Sequence, residues 1–317
     1  MNKIMTMAGS VFLAFAATGC VSAEQLPMRA IPITVHVYVH DSDGKPVEGA
    51  QVHLFLPRYR LGDQNQVADA FTNADGVAVA TGTAQQDYQV GADKPGYYHT
   101  AGPHRSIDTD TSFKQFAAGD QQVELELRQI RNPIVGITKE VRAKLPTLDK
   151  PVGFDLEVGD WVTPYGTGST ADLVFKVGGY FKNLHDYDQS LVLTFSNSGD
   201  GIILLKLPAR GGPVFKFPYE APSEGYESQR IWTKTFNGKT ESTTIDGSGE
   251  TNYILRIRST FDEKGNVSRA MYAVIDGEVV LGGNNEIGRN VSFTYRLNPD
   301  WARNIEFSPE KRQKTTK

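Results

Sequence analysis

Apolar and polar residues take turns along most of this chain. Val35, Val37 and Val39 alternate with His36, Tyr38 and His40, the two-residue period of a half-buried strand. Ala50, Val52, Leu54 and Leu56 form a second alternating set. Val77 and Val79 share one face of a third, and a fourth runs through Tyr88 and Val90. Val123, Leu125 and Leu127 alternate with Gln122, Glu124 and Glu126 in a closing strand. Turn residues separate these runs: Asp43-Gly44 with Pro46, Asn73-Ala74-Asp75-Gly76, and Lys94-Pro95-Gly96-Tyr97. Gly76 is expected to take a positive φ, which only glycine adopts without strain. Residues 57–70 read as a polar, exposed loop. Short strands with turns at this spacing predict a small sandwich.

A second alternating region spans 152–307. Leu173 and Phe175, then Leu191, Leu193 and Phe195, mark two strands, and Ile202–Leu207 is a nearly continuous apolar run. Arg230, Trp232, Lys234 and Phe236 face away from Ile231, Thr233 and Thr235. Tyr253, Leu255 and Ile257 oppose Ile254, Arg256 and Arg258. Val291, Phe293, Tyr295 and Leu297 make the last clear strand. Asn237-Gly238, Asp246-Gly247 and Asp276-Gly277 are hairpin-type pairs. No segment holds a helical period. Residues 129–151, punctuated by Pro133, Pro146 and Pro151, read as an extended linker packed along both domains, with a short helix over Thr138–Lys144 as the alternative. The expectation is an all-β chain: a small sandwich over 30–128, the linker, and a larger antiparallel sandwich, jelly-roll-like, over 152–307. A basic tail, 308–317, ends it.

The first region resembles a known family. Asp43-Gly44-Lys45-Pro46-Val47, Gly49-Ala50-Gln51-Val52, Thr72-Asn73-Ala74-Asp75-Gly76, Tyr88 and Lys94-Pro95-Gly96-Tyr97 recur in the order of the carboxypeptidase regulatory-like domain. That resemblance implies a transthyretin-like, Ig-type sandwich of exported bacterial proteins, which carries no peptidase site and serves as a structural or binding appendage. Lys150–Leu156, Gly159–Gly166, Leu193–Asn197 and Arg303–Phe307 are similar to strings in exported bacterial proteins of uncharacterised activity that carry this domain in front.

Residues 1–23 read as a targeting segment. Lys3 precedes an apolar run from Met5 to Ala17, too short to remain as a bilayer span. Ala17-Thr18-Gly19-Cys20 looks like a lipobox, which makes Cys20 the lipidation site; Val21-Ser22-Ala23 offers ordinary signal cleavage as the alternative. Cys20 is the one cysteine of the chain, so no intramolecular disulfide supports the fold. The expected location is exported: an outer-membrane lipoprotein, or periplasmic or extracellular.

Charge and motifs narrow the chemistry. Residues 20–130 hold 8 Lys/Arg against 14 Asp/Glu, and 131–317 hold 24 against 23; neither is the basic footprint of a nucleic-acid binder. There is no GxSxG, HExxH or P-loop. Catalytic residues are therefore unassigned, although Asp155, Glu157, Asp160, Glu250, Asp262 and Glu263 supply carboxylates that a glycosidase would hold across a cleft. Trp161, Trp232 and Trp301 are the large aromatics. Trp161 and Trp232 are the candidate ligand-binding residues, because an aromatic face stacks on a sugar ring; Trp232 shares its strand face with Arg230 and Lys234 and is expected to be partly exposed. No cofactor and no metal is expected. His36 opposite His53 would make an imidazole pair if their strands were neighbours, but the family resemblance places those strands in opposite sheets. Two functions stay open: a non-enzymatic envelope or secreted protein that binds a glycan, a protein or the wall, with membrane contact through Cys20, and a carbohydrate-active enzyme in the larger sandwich.

Overall fold

The computed structural model describes residues 31–59, 62–85, 87–102, 105–106, 120–148, 150–282 and 290–308. Cys20, the rest of the expected targeting segment and residues 309–317 lie outside them. No helix occurs among the described residues, and the chain is all-β.

The first body holds β1 (Ile31–Asp41), β2 (Gln51–Leu56), β3 (Gln66–Phe71), β4 (Val77–Ala84), β5 (Asp87–Asp93), β6 (Thr100–Ala101), β7 (Arg105–Ser106) and β8 (Asp120–Leu127). One sheet runs β4-β1-β8, with β8 parallel to β1. The other contains β6-β5-β2-β3, with β7 paired to β5. Val35, Val37, Val52, Leu54 and Leu56 are fully buried between the sheets, as their alternation demands. The interval 57–70 is not all loop: its end enters β3, which pairs antiparallel with β2. The strand was hidden because its inward positions are Ala68 and Ala70, while Val67, Asp69 and Phe71 face solvent. On β4 the core residues are Ala78 and Ala80; Val77 and Val79 share the outer face.

The second body holds β9 (Ile137–Lys144), β10 (Val152–Asp155), β11 (Asp160–Trp161), β12 (Leu173–Asn183), β13 (Asp186–Thr194), β14 (Gly201–Lys206), β15 (Gly212–Pro213), β16 (Gln229–Phe236), β17 (Glu241–Thr243), β18 (Thr251–Phe261), β19 (Val267–Gly282) and β20 (Asn290–Asn298). Sheets β11-β10-β12-β13-β16-β17 and β14-β18-β19-β20-β9 face each other across a core that includes Phe154, Phe175, Leu191, Trp232, Tyr253 and Phe293. Two expectations change. Residues 137–144 of the supposed linker form edge strand β9, paired with β20; its alternation is masked by exposed Lys and Arg, which suit an edge. Asp276-Gly277 is no hairpin. β19 runs straight through it with a register shift between Asp276 and Val280, and Gly277 sits there at φ 84°. A bulge and a tight hairpin both call for glycine with positive φ, so the dipeptide alone could not tell them apart.

The sheet containing β18 and β19 is covered on both faces. Phe215, Phe217, Ala221, Ile305 and Phe307 pack on Ile254, Tyr272 and Val274 of its outer side. That third layer explains why β18 is apolar at consecutive positions. Its covering segment also reaches the first body, where β15 adds to β6 at the edge of the first body's larger sheet.

Candidate functional site

Both tryptophans chosen from sequence are interior. Trp161, 6 % exposed, meets Phe154 and Phe175 edge-on at 5.2 and 6.0 Å between centroids. Trp232 is 1 % exposed; its indole N–H donates to the Tyr253 hydroxyl at 3.0 Å and to Glu278 at 3.1 Å. Neither offers a ring face to a ligand. Trp232 lost its expected exposure because the opposing sheet covers that stretch of β16. Trp301 is partly buried under the Arg269 guanidinium at 3.9 Å.

Of the carboxylates named from sequence, Asp155, Glu157, Asp160 and Asp262 are engaged in ion pairs or loop hydrogen bonds. Asp155 and Asp172 close on Arg258, whose guanidinium donates to Asp172 at 2.8 and 2.9 Å, to Asp155 at 3.0 Å, and to Glu157. Asp155 also accepts the backbone N–H groups of Glu157, Val158, Ser169 and Thr170. Burial opposes its charge, but those donors and Arg258 outweigh it and hold the carboxyl below the usual range. For Asp172 burial dominates and pushes the carboxyl up. Asp160 caps its own loop through the Thr167 backbone N–H, and Asp262 closes the β18–β19 turn through Asn266. Acceptors so fully occupied are poorly placed to serve as general acid and base.

The histidine pair does not form. β1 lies in one sheet and β2 in the other, so His36 and His53 face outward on opposite sides. His53 instead joins a row across its own sheet: Asp69 at 2.7 Å, then Asp93 at 3.3 Å, which meets His99 at 2.9 Å. No group of three or more metal-ligating side chains is arranged around a common centre among the described residues.

A partly exposed set of aromatic and polar residues lies further along β16. Its inward residues fall in cross-strand rows with β13 and β12. Val177, Leu191 and Trp232 make one row, all buried. Two residues on, Gly179, Gln189 and Lys234 make the next. The third row is Phe181, Tyr187 and Phe236, ending at Glu241 on β17. Burial relaxes only at the ends of these rows: Tyr187 and Gln189 stay buried at 9 % and 7 % exposure, Phe181 and Phe236 are half-buried, and the Lys234 and Glu241 side chains are 43 % and 56 % exposed. The Phe181 and Tyr187 rings stack at 6.0 Å and 20°; Tyr187 and Phe236 centroids are 6.1 Å apart. The Lys234 ammonium lies 5.7 Å from the Tyr187 ring, the Tyr187 hydroxyl donates to Glu241 at 3.3 Å, and His185 stands 5.9 Å from Phe236. Gly179 keeps the middle row bare beside the Gln189 amide. Its φ of 89° would place a Cβ 2.0 Å from the Asp188 carbonyl, so no side chain fits there.

Trp232, the residue chosen from sequence, lies on the same face of β16 as Phe236, two rows away. Phe236 shares its phase with Trp232 and was visible; that it would meet Phe181 and Tyr187 depended on register, which the pattern does not specify.

No family model and no curated protein matches the chain. Solved structures give weak likenesses. A DUF3823-family protein of Parabacteroides merdae is 10 % identical, with 85 % of this chain and 100 % of that one covered, at a TM-score of 0.22. A candidate carbohydrate-binding protein of Bacteroides uniformis is 13 % identical over 84 % and 98 %, at 0.19. The shaft pilin of Lactobacillus rhamnosus GG is 15 % identical over 82 % and 94 %, at 0.20. Likeness at this level decides neither ligand nor assembly.

Proposed function

We propose that this protein is a non-enzymatic, exported binding protein that takes a glycan on the Phe181 and Phe236 rings that flank buried Tyr187. The observation that supports this reading is the row itself: three aromatic rings in cross-strand register, with Phe181 and Phe236 half-buried at its ends and Tyr187 buried between them. Sugar rings present apolar C–H faces that stack on aromatic side chains, while their hydroxyls need donors and acceptors at the edge. Lys234 and Glu241 supply both. The small first sandwich, with its regulatory-like resemblance, serves as the appendage that carries the larger one, on a chain anchored through Cys20.

Titration calorimetry with soluble neutral oligosaccharides tests the reading, the first probes being cello-, xylo- and chito-hexaose. One of them is expected to bind, and Phe236→Ala to weaken it roughly tenfold, which is about 1.4 kcal/mol, with the melting temperature little changed. Binding that ignores Phe236→Ala removes these rings as the site, and a panel with no binder removes the glycan.

A further inference from the structure

Glu306 is 1 % exposed, a carboxylate enclosed where the two sandwiches meet. Its Oε1 accepts the Tyr98 hydroxyl at 2.8 Å and the Arg131 backbone N–H at 2.8 Å; its Oε2 accepts the Asn132 N–H at 2.6 Å. Tyr98 belongs to the first body, Arg131 and Asn132 to the connector, and Glu306 to the last segment of the second. A buried carboxylate is tolerated only when its acceptor positions are filled. Here the donors come from across the junction.

The same junction is crosslinked by backbone and cation contacts. β15 pairs with β6 through Gly212 opposite Ala101 and Pro213 opposite Thr100, and the Val214 N–H donates to the His99 carbonyl at 2.9 Å. Arg128 donates to the carbonyls of Phe215 and Phe217 at 3.1 and 2.7 Å. Its guanidinium lies 4.8 Å from the Phe215 ring and 4.6 Å from the Tyr219 ring, and Arg131 lies 4.0 Å from the Tyr219 ring. Tyr98 is buried in the apolar cluster of Phe215, Phe217, Ile305 and Phe307.

We propose that Glu306 is a latch that makes the two sandwiches one cooperative, hinge-free body, so that the residue 128–136 connector is a packed joint and not a flexible tether. Parting the sandwiches removes the tyrosine donor and loosens the connector, leaving a desolvated carboxylate short of partners. Small openings therefore cost nearly as much as complete ones, which is the condition for all-or-none behaviour. The consequence is positional: whatever the second body binds is held at a fixed orientation to the first.

Calorimetric unfolding of the full chain, with trypsin cleavage at Arg128 and Arg131 under native conditions, tests the latch. The parent is expected to unfold in one transition, with equal calorimetric and van't Hoff enthalpies, and to resist cleavage at both arginines. Glu306→Ala is expected to resolve two transitions and to expose both bonds. Should that variant fail to fold, Tyr98→Phe removes one donor and keeps the ring; cleavage at Arg131 is then expected to speed up several-fold. Two transitions in the parent overturn the proposal. So does a folded Glu306→Ala that melts in one step and is cut no faster, or an unchanged rate in Tyr98→Phe.

Discussion

Gly76 shows how one residue's conformation was readable in advance. Its φ is 73°, and a Cβ there would lie 2.5 Å from the Val39 carbonyl oxygen and 2.9 Å from Pro46 Cβ. Asn73 fixes the same turn by accepting the N–H groups of Asp75 and Val77. Gly76→Val meets both a strained backbone and a clash, and is expected to lower stability by about 2–3 kcal/mol in urea unfolding. A parent-like midpoint would contradict this. Asp155 carries the second residue-scale prediction. Its folded carboxyl titrates below the ordinary range, so its stabilising contribution is present above the unfolded value, about pH 4, and is lost as pH falls through the folded value. Asp172 is shifted up by burial and works in the opposite sense, gaining its proton first on acidification. The difference between parent and Asp155→Asn isolates the Asp155 share: the variant is less stable at neutral pH, and the gap narrows below about pH 4. Stability curves that stay parallel into acid would show that Asp155 has no such share.

At the scale of elements, β16 carries two kinds of aromatic residue on one face. Trp232 is covered by the second sheet; Phe236, four positions on, is not. Removing Trp232 therefore tests packing, while removing Phe236 tests the surface. Trp232→Ala is expected to cost about 3–5 kcal/mol in unfolding experiments and, below its melting temperature, to keep the parent's oligosaccharide affinity. Loss of binding in the folded Trp232→Ala protein would move the site inward. Alternation alone assigned Trp232 and Phe236 the same environment, because period tells which face a residue takes and not how far the partner sheet extends over it. β3 and β9 were missed for a related reason. Alanine on the inward side and charges along an exposed edge leave little contrast between the two faces.

For the whole molecule, anchoring and cohesion are separate questions. The proposed anchoring rests on the lipobox-like stretch before Cys20. Metabolic labelling with a radioactive fatty acid is expected to mark the parent and not Cys20→Ala; unlabelled protein beginning at Glu24 would show ordinary cleavage instead. Cohesion rests on the junction around Glu306, and nothing in the local sequence pointed to it. Ile305-Glu306-Phe307 reads as ordinary strand alternation. Only its packing shows that Ile305 and Phe307 join one apolar cluster while Glu306 reaches the connector and Tyr98.

The amino-acid pattern by itself determined the all-β class, the strand phases that put Val35, Leu54, Leu255 and Tyr295 inside, and the turns that require Gly44, Gly76 and Gly238. These follow from short-range rules: a two-residue side-chain period and the steric freedom of glycine. Tertiary structure decided which strands pair, that Asp276-Gly277 bulges without turning, that residues 137–144 close a sheet, and that Phe181, Tyr187 and Phe236 come into line. It also decided that Trp161 and Trp232 are core and that Asp155 and Asp172 belong to Arg258. Each of these depends on register or on contacts between residues far apart in the chain. Local periodicity is identical for a covered and an uncovered face, so it holds no information about either.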